Sequence, residues 1–483
     1  MQTVACPSCG AQVEFKSRAS VMAVCGFCKS SIVKDADSVK DIGKMSDVLQ
    51  DYSPIQLGTA GQYDGVAFDV IGRIQLRYPG GMWNEWYLLF ADGHNGWLSD
   101  ASAQYAVTSE CAPGAEPIPS FDSLRIGQRV ALAGTVGIAA DIRSAQCVGG
   151  QGELPFRVGA GWLARVVDLR RDDGFLTIDY SDPVPKLYRG RSVSLDALKP
   201  QLLRDDAAVR DSAGKLTSPV ARLACPSCGA SVPVVAGLTV RSICPSCHQR
   251  LDTNTNITRA LEAGARMERT PSTLDLGANA TISGTTYELI GLLHRRDADG
   301  ERWTEYLLYH PRAGLLWLIE TDDGWYQAKV QDIWPNWDGA TVATLDEKRF
   351  TQIASYRATV EFAAGAFNWQ VSAGDTVEIV EFEAGRARLA MERNAEEMTW
   401  SLATQVPPDM LSAWLGKALK TPLRAASPHR LRTVAIWFLI ALAVANAIPF
   451  MFANDDTWLA LGLAAAAIYF PAKWLEPSLE DDA

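Results

Sequence analysis

Cys6-Pro7-Ser8-Cys9-Gly10-Ala11 recurs 219 residues later as Cys225-Pro226-Ser227-Cys228-Gly229-Ala230. The partner pairs Cys25/Cys28 and Cys244/Cys247 keep the same offset. Each set therefore reads C-x2-C-x15-C-x2-C. Two CxxC turns give four thiolates, and the spacer brings the second turn back against the first as a hairpin. That is the ligand set of a tetrahedral zinc ribbon.

Working outward, the repeat continues. Leu57-Gly58 matches Leu276-Gly277, and Ile71-Gly72 matches Ile290-Gly291. After one inserted residue, Trp83, Glu85 and Leu88 match Trp303, Glu305 and Leu308. Further on, Gly152 matches Gly365. The chain is thus two copies of one unit, each a cysteine module followed by a longer body.

The bodies read as strands. Phe68-Asp69-Val70-Ile71, Ile74-Gln75-Leu76 and Glu85-Trp86-Tyr87-Leu88-Leu89-Phe90 are β-branched or aromatic runs, punctuated by Asp64-Gly65, Pro79-Gly80-Gly81 and Asp92-Gly93. Copy two repeats them with Tyr287-Glu288-Leu289-Ile290 and Glu305-Tyr306-Leu307-Leu308-Tyr309. Short strands so spaced predict a barrel or sandwich. The links at 38–50 and 257–268 read as short amphipathic helices, and Asp409 as the cap of a helix over 410–420. The segment 111–122 reads as a loop.

The end of the chain differs. Val434 to Phe452 holds 19 residues without a charge, and Trp458 to Ala472 holds 15 more. Basic residues flank the pair and Asn454-Asp455-Asp456 lies between them, which predicts a transmembrane helical hairpin with both flanks in the cytoplasm. The opening MQTVACPSCG shows no apolar core of a secretory signal, so the rest is expected to stay where it is made.

The expected fold class is mainly β: two zinc ribbons and two barrel- or sandwich-like modules in tandem, plus a C-terminal transmembrane α-helical hairpin. The expected boundaries are ribbon one at 1–35, a linker helix at 36–54 and β module one at 55–205. Ribbon two follows at 220–252, a linker helix at 253–273 and β module two at 274–408. A juxtamembrane helix at 409–430, two transmembrane helices at 431–475 and a cytoplasmic tail at 476–483 close the chain.

Composition fits folded protein. The 483 residues are 48% hydrophobic and carry a formal net charge of −11, which speaks against broad nucleic-acid binding. Eight of the 10 cysteines are placed in the two sets, leaving Cys111 and Cys147 as ordinary thiols. The metal ligands are therefore Cys6, Cys9, Cys25, Cys28, Cys225, Cys228, Cys244 and Cys247, holding two structural Zn2+ ions. Iron in a rubredoxin-like site has the same ligands, so spacing leaves it open. Disulfides would need an oxidising compartment. His248 follows Cys247 and reads as a solvent-facing histidine beside a complete ligand set.

The five histidines form no paired metal motif, and neither a GxSxG elbow nor a phosphate loop is present. Gly159-Ala160-Gly161 opens a dinucleotide-like fingerprint, but Arg165-Val166-Val167-Asp168-Leu169 continues it as strand rather than helix. Glu85 and Glu305 are the notable acids. Each lies two residues after a tryptophan, Trp83 or Trp303, in an otherwise apolar strand. Alternation puts Glu85 on one face with Trp83 and Tyr87. A glutamate among aromatic rings can hold a cationic ligand. The simpler reading, preferred from the residues, is an edge-strand acid paired with Arg73 or Arg77.

The run Leu57-Gly58, Gly61-Gln62-Tyr63, Phe68-Asp69-Val70-Ile71-Gly72-Arg73 and Trp83-Asn84-Glu85-Trp86-Tyr87-Leu88-Leu89-Phe90 resembles the uncharacterised DUF4178 family. So do Phe367-Asn368-Trp369-Gln370-Val371 and Thr399-Trp400-Ser401-Leu402 in copy two. The resemblance covers 55–205 and 274–406. Copy two has Leu292 in place of Arg73, and copy one lacks the Trp-Ser-Leu segment. The resemblance implies no activity; by gene context it implies an association with polyamine metabolism or membrane stress.

The expectation is a non-enzymatic zinc-ribbon binding or scaffold protein tethered to the inner membrane of a bacterium, with modules and termini cytoplasmic. Its partners would be the membrane, a protein, or a small cationic ligand at Glu85/Trp83 or Glu305/Trp303. An enzyme or accessory subunit acting on such a cation is the alternative. Nucleic-acid binding through the mildly basic ribbons is the third reading.

Overall fold

A computed structural model describes residues 2–35, 38–44, 53–79, 81–101, 104–158, 162–205, 221–234, 239, 241–252, 259–260, 272–310, 313–337, 339–369, 371–417, 435–440 and 464–468. Both β modules lie in one compact unit, Met1–Glu320 with Trp325–Ala418.

Module one is a closed barrel of eight antiparallel strands. Its strands are Val66–Tyr78, Gly81–Phe90, Asn95–Ala101, Gln104–Cys111, Lys186–Val193, Gly174–Asp179, Leu163–Arg171 and Thr135–Leu154, in ring order. Closure comes from Thr135–Leu154, a 20-residue strand long enough to serve two neighbours. Its first half pairs with Leu163–Arg171, and its second half pairs with Val66–Tyr78. Its end carries the ribbon strand Met22–Val24. Module two repeats the ring, with Lys348–Phe367 pairing Thr376–Ala384, then Thr285–Arg296, then the ribbon strand Arg241–Ile243.

The glycines of the repeat meet at this seam. Gly152 sits opposite Gly72, and Gly365 opposite Gly291. A Cβ on Gly152 would lie 2.2 Å from the Ile71 carbonyl oxygen, and one on Gly365 would lie 2.2 Å from that of Ile290. Both glycines also hold positive φ, 66° and 94°. Only a residue without a Cβ lets the backbones approach so closely in that conformation.

Alternation sorts the side chains. Trp86, Leu88 and Phe90 pack outside the barrel with Phe68, Val70, Ile55 and Leu198. Tyr87 packs inside with Ile74, Leu76, Trp97, Cys147 and Ala164. Burying each such large apolar side chain stabilises the fold by roughly 1.5–3 kcal/mol. Cys147 is buried in the inner cluster and Cys111 packs beside an outer one. The expected loop holds, since residues 112–120 carry no regular structure.

Three local expectations are corrected. Residues 38–44 of the first linker form a strand, Ser38–Lys44, antiparallel to Ser30–Asp35. The open edge of the ribbon hairpin offers backbone partners that outweigh a weak helical pattern. Of the second linker helix at 253–273, the pair Arg259–Ala260 is a strand, and the remainder as far as residue 271 lies outside the described residues. The helix after the second module is Pro408–Leu415, with Pro407 as its N-cap. Asp409 stands in its first turn, where an acid favours the helix dipole, and Gly416 in left-handed conformation ends it.

The expected transmembrane hairpin at 431–475 is also corrected. Among the described residues no helix is long and apolar enough to cross a membrane. The helical pieces described there are 435–440 and 464–468. The other residues of 431–475, and all of the expected tail 476–483, lie outside the described residues. The integral membrane partner and the inner-membrane location rested on that hairpin and fall with it.

Candidate functional site

Each ribbon gathers its four sulfurs. Cys6 and Cys28 Sγ stand 3.6 Å apart, and Cys9 and Cys25 Sγ 3.7 Å. In ribbon two the distances are 3.6 Å for Cys225/Cys247 and 3.5 Å for Cys228/Cys244. A tetrahedral ion with bonds of ~2.3 Å sets its sulfurs roughly 3.8 Å apart, so both clusters fit one metal ion each. All four sulfurs of each set lie within 4.8 Å of one another. The knuckles are built alike: the Gly10 and Gly229 amides donate to the Cys6 and Cys225 carbonyls, both at 2.8 Å. His248 is no ligand, and it is buried rather than solvent-facing, with its ring edge-on to Phe362 at 5.2 Å.

A cavity of about 480 Å3 runs through the inner faces of both barrels. It brings Glu85, Trp83 and Glu305 to one space, and Trp303 touches it through Glu305. Carboxylates outnumber cations along its wall, and Tyr78, Trp97, Phe156 and Trp162 supply aromatic surface.

Glu85 lies on a central strand, between Val66–Tyr78 and Asn95–Ala101, so it is not an edge-strand acid. Trp83 Nε1 and Ser99 Oγ both donate to its Oε1, each at 2.8 Å. Among the described residues its Oε2 accepts nothing, and no cation lies within ion-pair distance. The arginine expected beside it is elsewhere. Arg73 turns to the outer face, donates to Asn84 Oδ1 at 3.0 and 2.6 Å, and stacks on Trp86 at 4.6 Å. Burial pushes the Glu85 carboxyl up to about 7, against the pull of Ser99 and Trp83.

Sequence reasoning missed the rest of the constellation. Arg143 points into the cavity, but three acids hold it: Asp141 at 2.8 Å, Glu396 at 3.5 Å and, closer still, Glu397. Its guanidinium also lies 4.1 Å over the Tyr78 ring. Glu396 and Glu397 come from module two, and Asp141 pairs with Glu397 as an isolated bridge across the modules. Asp168 accepts from Thr177 at 2.7 Å. Burial raises Asp168 to about 6 and Asp141 to about 8.

Glu305 shares with Glu85 the tryptophan donor on its first oxygen, lacks the serine donor, and differs on the second oxygen. Trp303 Nε1 donates to Oε1 at 2.8 Å. Oε2 lies 3.3 Å from Nε of Arg295, whose Nη1 reaches Glu392 at 3.0 Å. Burial pushes the Glu305 carboxyl up and the Arg295 guanidinium opposes it. Copy two thus holds an ion pair whose cation, Arg295, the sequence reading did not name. Comparing the copies position by position could have found it, since a leucine, Leu76, stands in Arg295's place in copy one.

No curated protein and no solved structure matches this chain. The family model described as "Domain of unknown function (DUF4178)" matches residues 56–195 and 275–408. These are the two barrels, strand for strand, and each follows a four-cysteine cluster able to hold a metal ion. The chain belongs to the DUF4178 family, in two tandem copies.

Proposed function

We propose that this is a zinc-ribbon binding protein whose first barrel receives a small organic cation. The observation that carries the reading is Glu85 Oε2, which has no partner among the described residues and belongs to an acid facing an aromatic-walled cavity. A buried carboxylate needs a cation or a proton. A ligand ammonium or guanidinium would supply the charge, and Trp83 would add cation–π contact. The ribbons brace the barrels: Met22–Val24 and Arg241–Ile243 extend the long closing strands, so a metal ion in each cluster would fix the seam. Zinc suits four thiolates with no open position, a structural rather than catalytic arrangement.

Metal analysis of the full chain should find about two zinc per chain. Iron in that amount, or oxidised cysteines without metal, would contradict the zinc assignment. Titration of the zinc-loaded chain with tetramethylammonium, butylammonium and butylguanidinium should show saturable binding for at least one. That binding should weaken at least about tenfold in Glu85→Gln, a loss of ~1.4 kcal/mol or more. No saturable binding by any of them would contradict the cation pocket. A carboxyl held near neutrality also suits proton transfer, so chemistry on the bound cation is the second reading.

A further inference from the structure

The two copies give Glu85 and Glu305 the same frame. Glu85 is opposite Ile74, and Glu305 is opposite Leu293. Two residues along the neighbouring strand, Leu76 faces Trp83 and Arg295 faces Trp303. Leu76 and Arg295 thus hold one structural position, diagonal to the glutamate, and both line the cavity. The tryptophan donates to Oε1 in each copy at the same 2.8 Å. The difference falls on Oε2, which meets the Arg295 guanidinium in copy two and nothing in copy one.

We infer that module two is a self-occupied copy, in which Arg295 fills the place that an alkylguanidinium ligand takes beside Glu85 in module one. The inference rests on the cation reading of the Glu85 pocket and names the head group. A guanidinium is planar, stays charged at any working pH, and presents its N–H groups to one carboxylate oxygen while a flat face lies on an aromatic ring. At Glu305 the Arg295 guanidinium supplies the charge, its Nε 3.3 Å from Oε2, and Arg143 lays its face on Tyr78. No resident side chain is left to do either at Glu85. Arg143 is held by its three acids, and Leu76 is apolar and buried. Module one is then the receptor, and module two carries the receptor's bound state in its own sequence.

The test is calorimetric titration of the full zinc-loaded chain with butylguanidinium, butylammonium and uncharged butylurea. The wild type should bind one equivalent of butylguanidinium, at least about tenfold tighter than butylurea. Leu76→Arg should abolish binding by supplying the cation internally. Arg295→Ala should bind two equivalents, with butylguanidinium raising its melting temperature. Should Leu76→Arg fail to fold, Glu85→Gln keeps the shape of the site and should lose at least about tenfold. Two equivalents on the wild type, or one on Arg295→Ala, would overturn self-occupation. Butylammonium binding at least tenfold tighter than butylguanidinium would overturn the guanidinium assignment while leaving the cation pocket standing. Absence of saturable binding by either cation would remove the pocket reading itself.

Discussion

In module one the second oxygen of Glu85 faces the cavity with no partner among the described residues; in module two the second oxygen of Glu305 meets Arg295 at 3.3 Å. The strands, the seam and the tryptophan donors are otherwise shared. Two positions separate a barrel with an open acid from one whose acid is closed: Leu76 stands against Arg295, and Ser99, which donates to Glu85, stands against Ile319. Duplication thus keeps the frame and alters the charge inside it. The ribbons diverge at their docking too. Glu153 accepts from the Lys16 and Ser17 amides and from Ser20 Oγ, tying ribbon one to its barrel, whereas Ala366 follows the matching seam glycine in copy two.

The seam should be the most sensitive shared feature. Gly152→Val and Gly365→Val each force a β-branched residue into positive φ and a Cβ into a carbonyl oxygen. Each should cost about 3–5 kcal/mol, read by denaturant unfolding. Equal losses would confirm that closure is common to both copies, and a loss in one alone would break the symmetry.

Arg295→Leu comes next. It leaves Glu305 buried without its cation and should destabilise the protein by roughly 2–5 kcal/mol. Glu85→Leu in the other copy removes an acid that has no cation and should be neutral or stabilising. Similar losses at both sites would erase the distinction drawn between them.

The smallest expected effect is on pH dependence. The folded Glu85 carboxyl sits at about 7, above its ordinary value of 4.5. The folded state therefore binds the extra proton between those values. Its contribution favours folding below about pH 4.5 and is lost as pH rises to about 7. Asp168 and Asp141 act in the same direction. Glu85→Gln should flatten the stability profile over that window by roughly 1–3 kcal/mol relative to wild type. An unchanged slope would show that Glu85 is not held protonated in the fold.

Much of this was legible in the sequence. The thiol spacing specified two tetrahedral sites, and the fixed offset exposed the duplication. Glycines matched between copies turned out to be the residues that meet at the closing seam. The counter-ion was harder to read. A strict two-residue alternation from Phe68 and Val70 puts Arg73 on the inner face with Glu85. The bulge between Val70 and Gly72 reverses that parity, sending Arg73 outward and Ile74 and Leu76 inward. Asp141, Arg143 and Asp168 lie far along the chain and meet Glu85 only through barrel closure. The apolar closing segment set an expectation from composition alone, and among the described residues no helix is long and apolar enough to cross a membrane.

The central claim is best tested at the two tryptophans that touch the two glutamates. In a 15N-labelled full chain, the indole N–H signals of Trp83 and Trp303, assigned through Trp83→Phe and Trp303→Phe, can be followed as butylguanidinium is added. The account predicts that the Trp83 signal shifts saturably and the Trp303 signal stays in place. Movement of Trp303, or a Trp83 signal that does not respond, would contradict it.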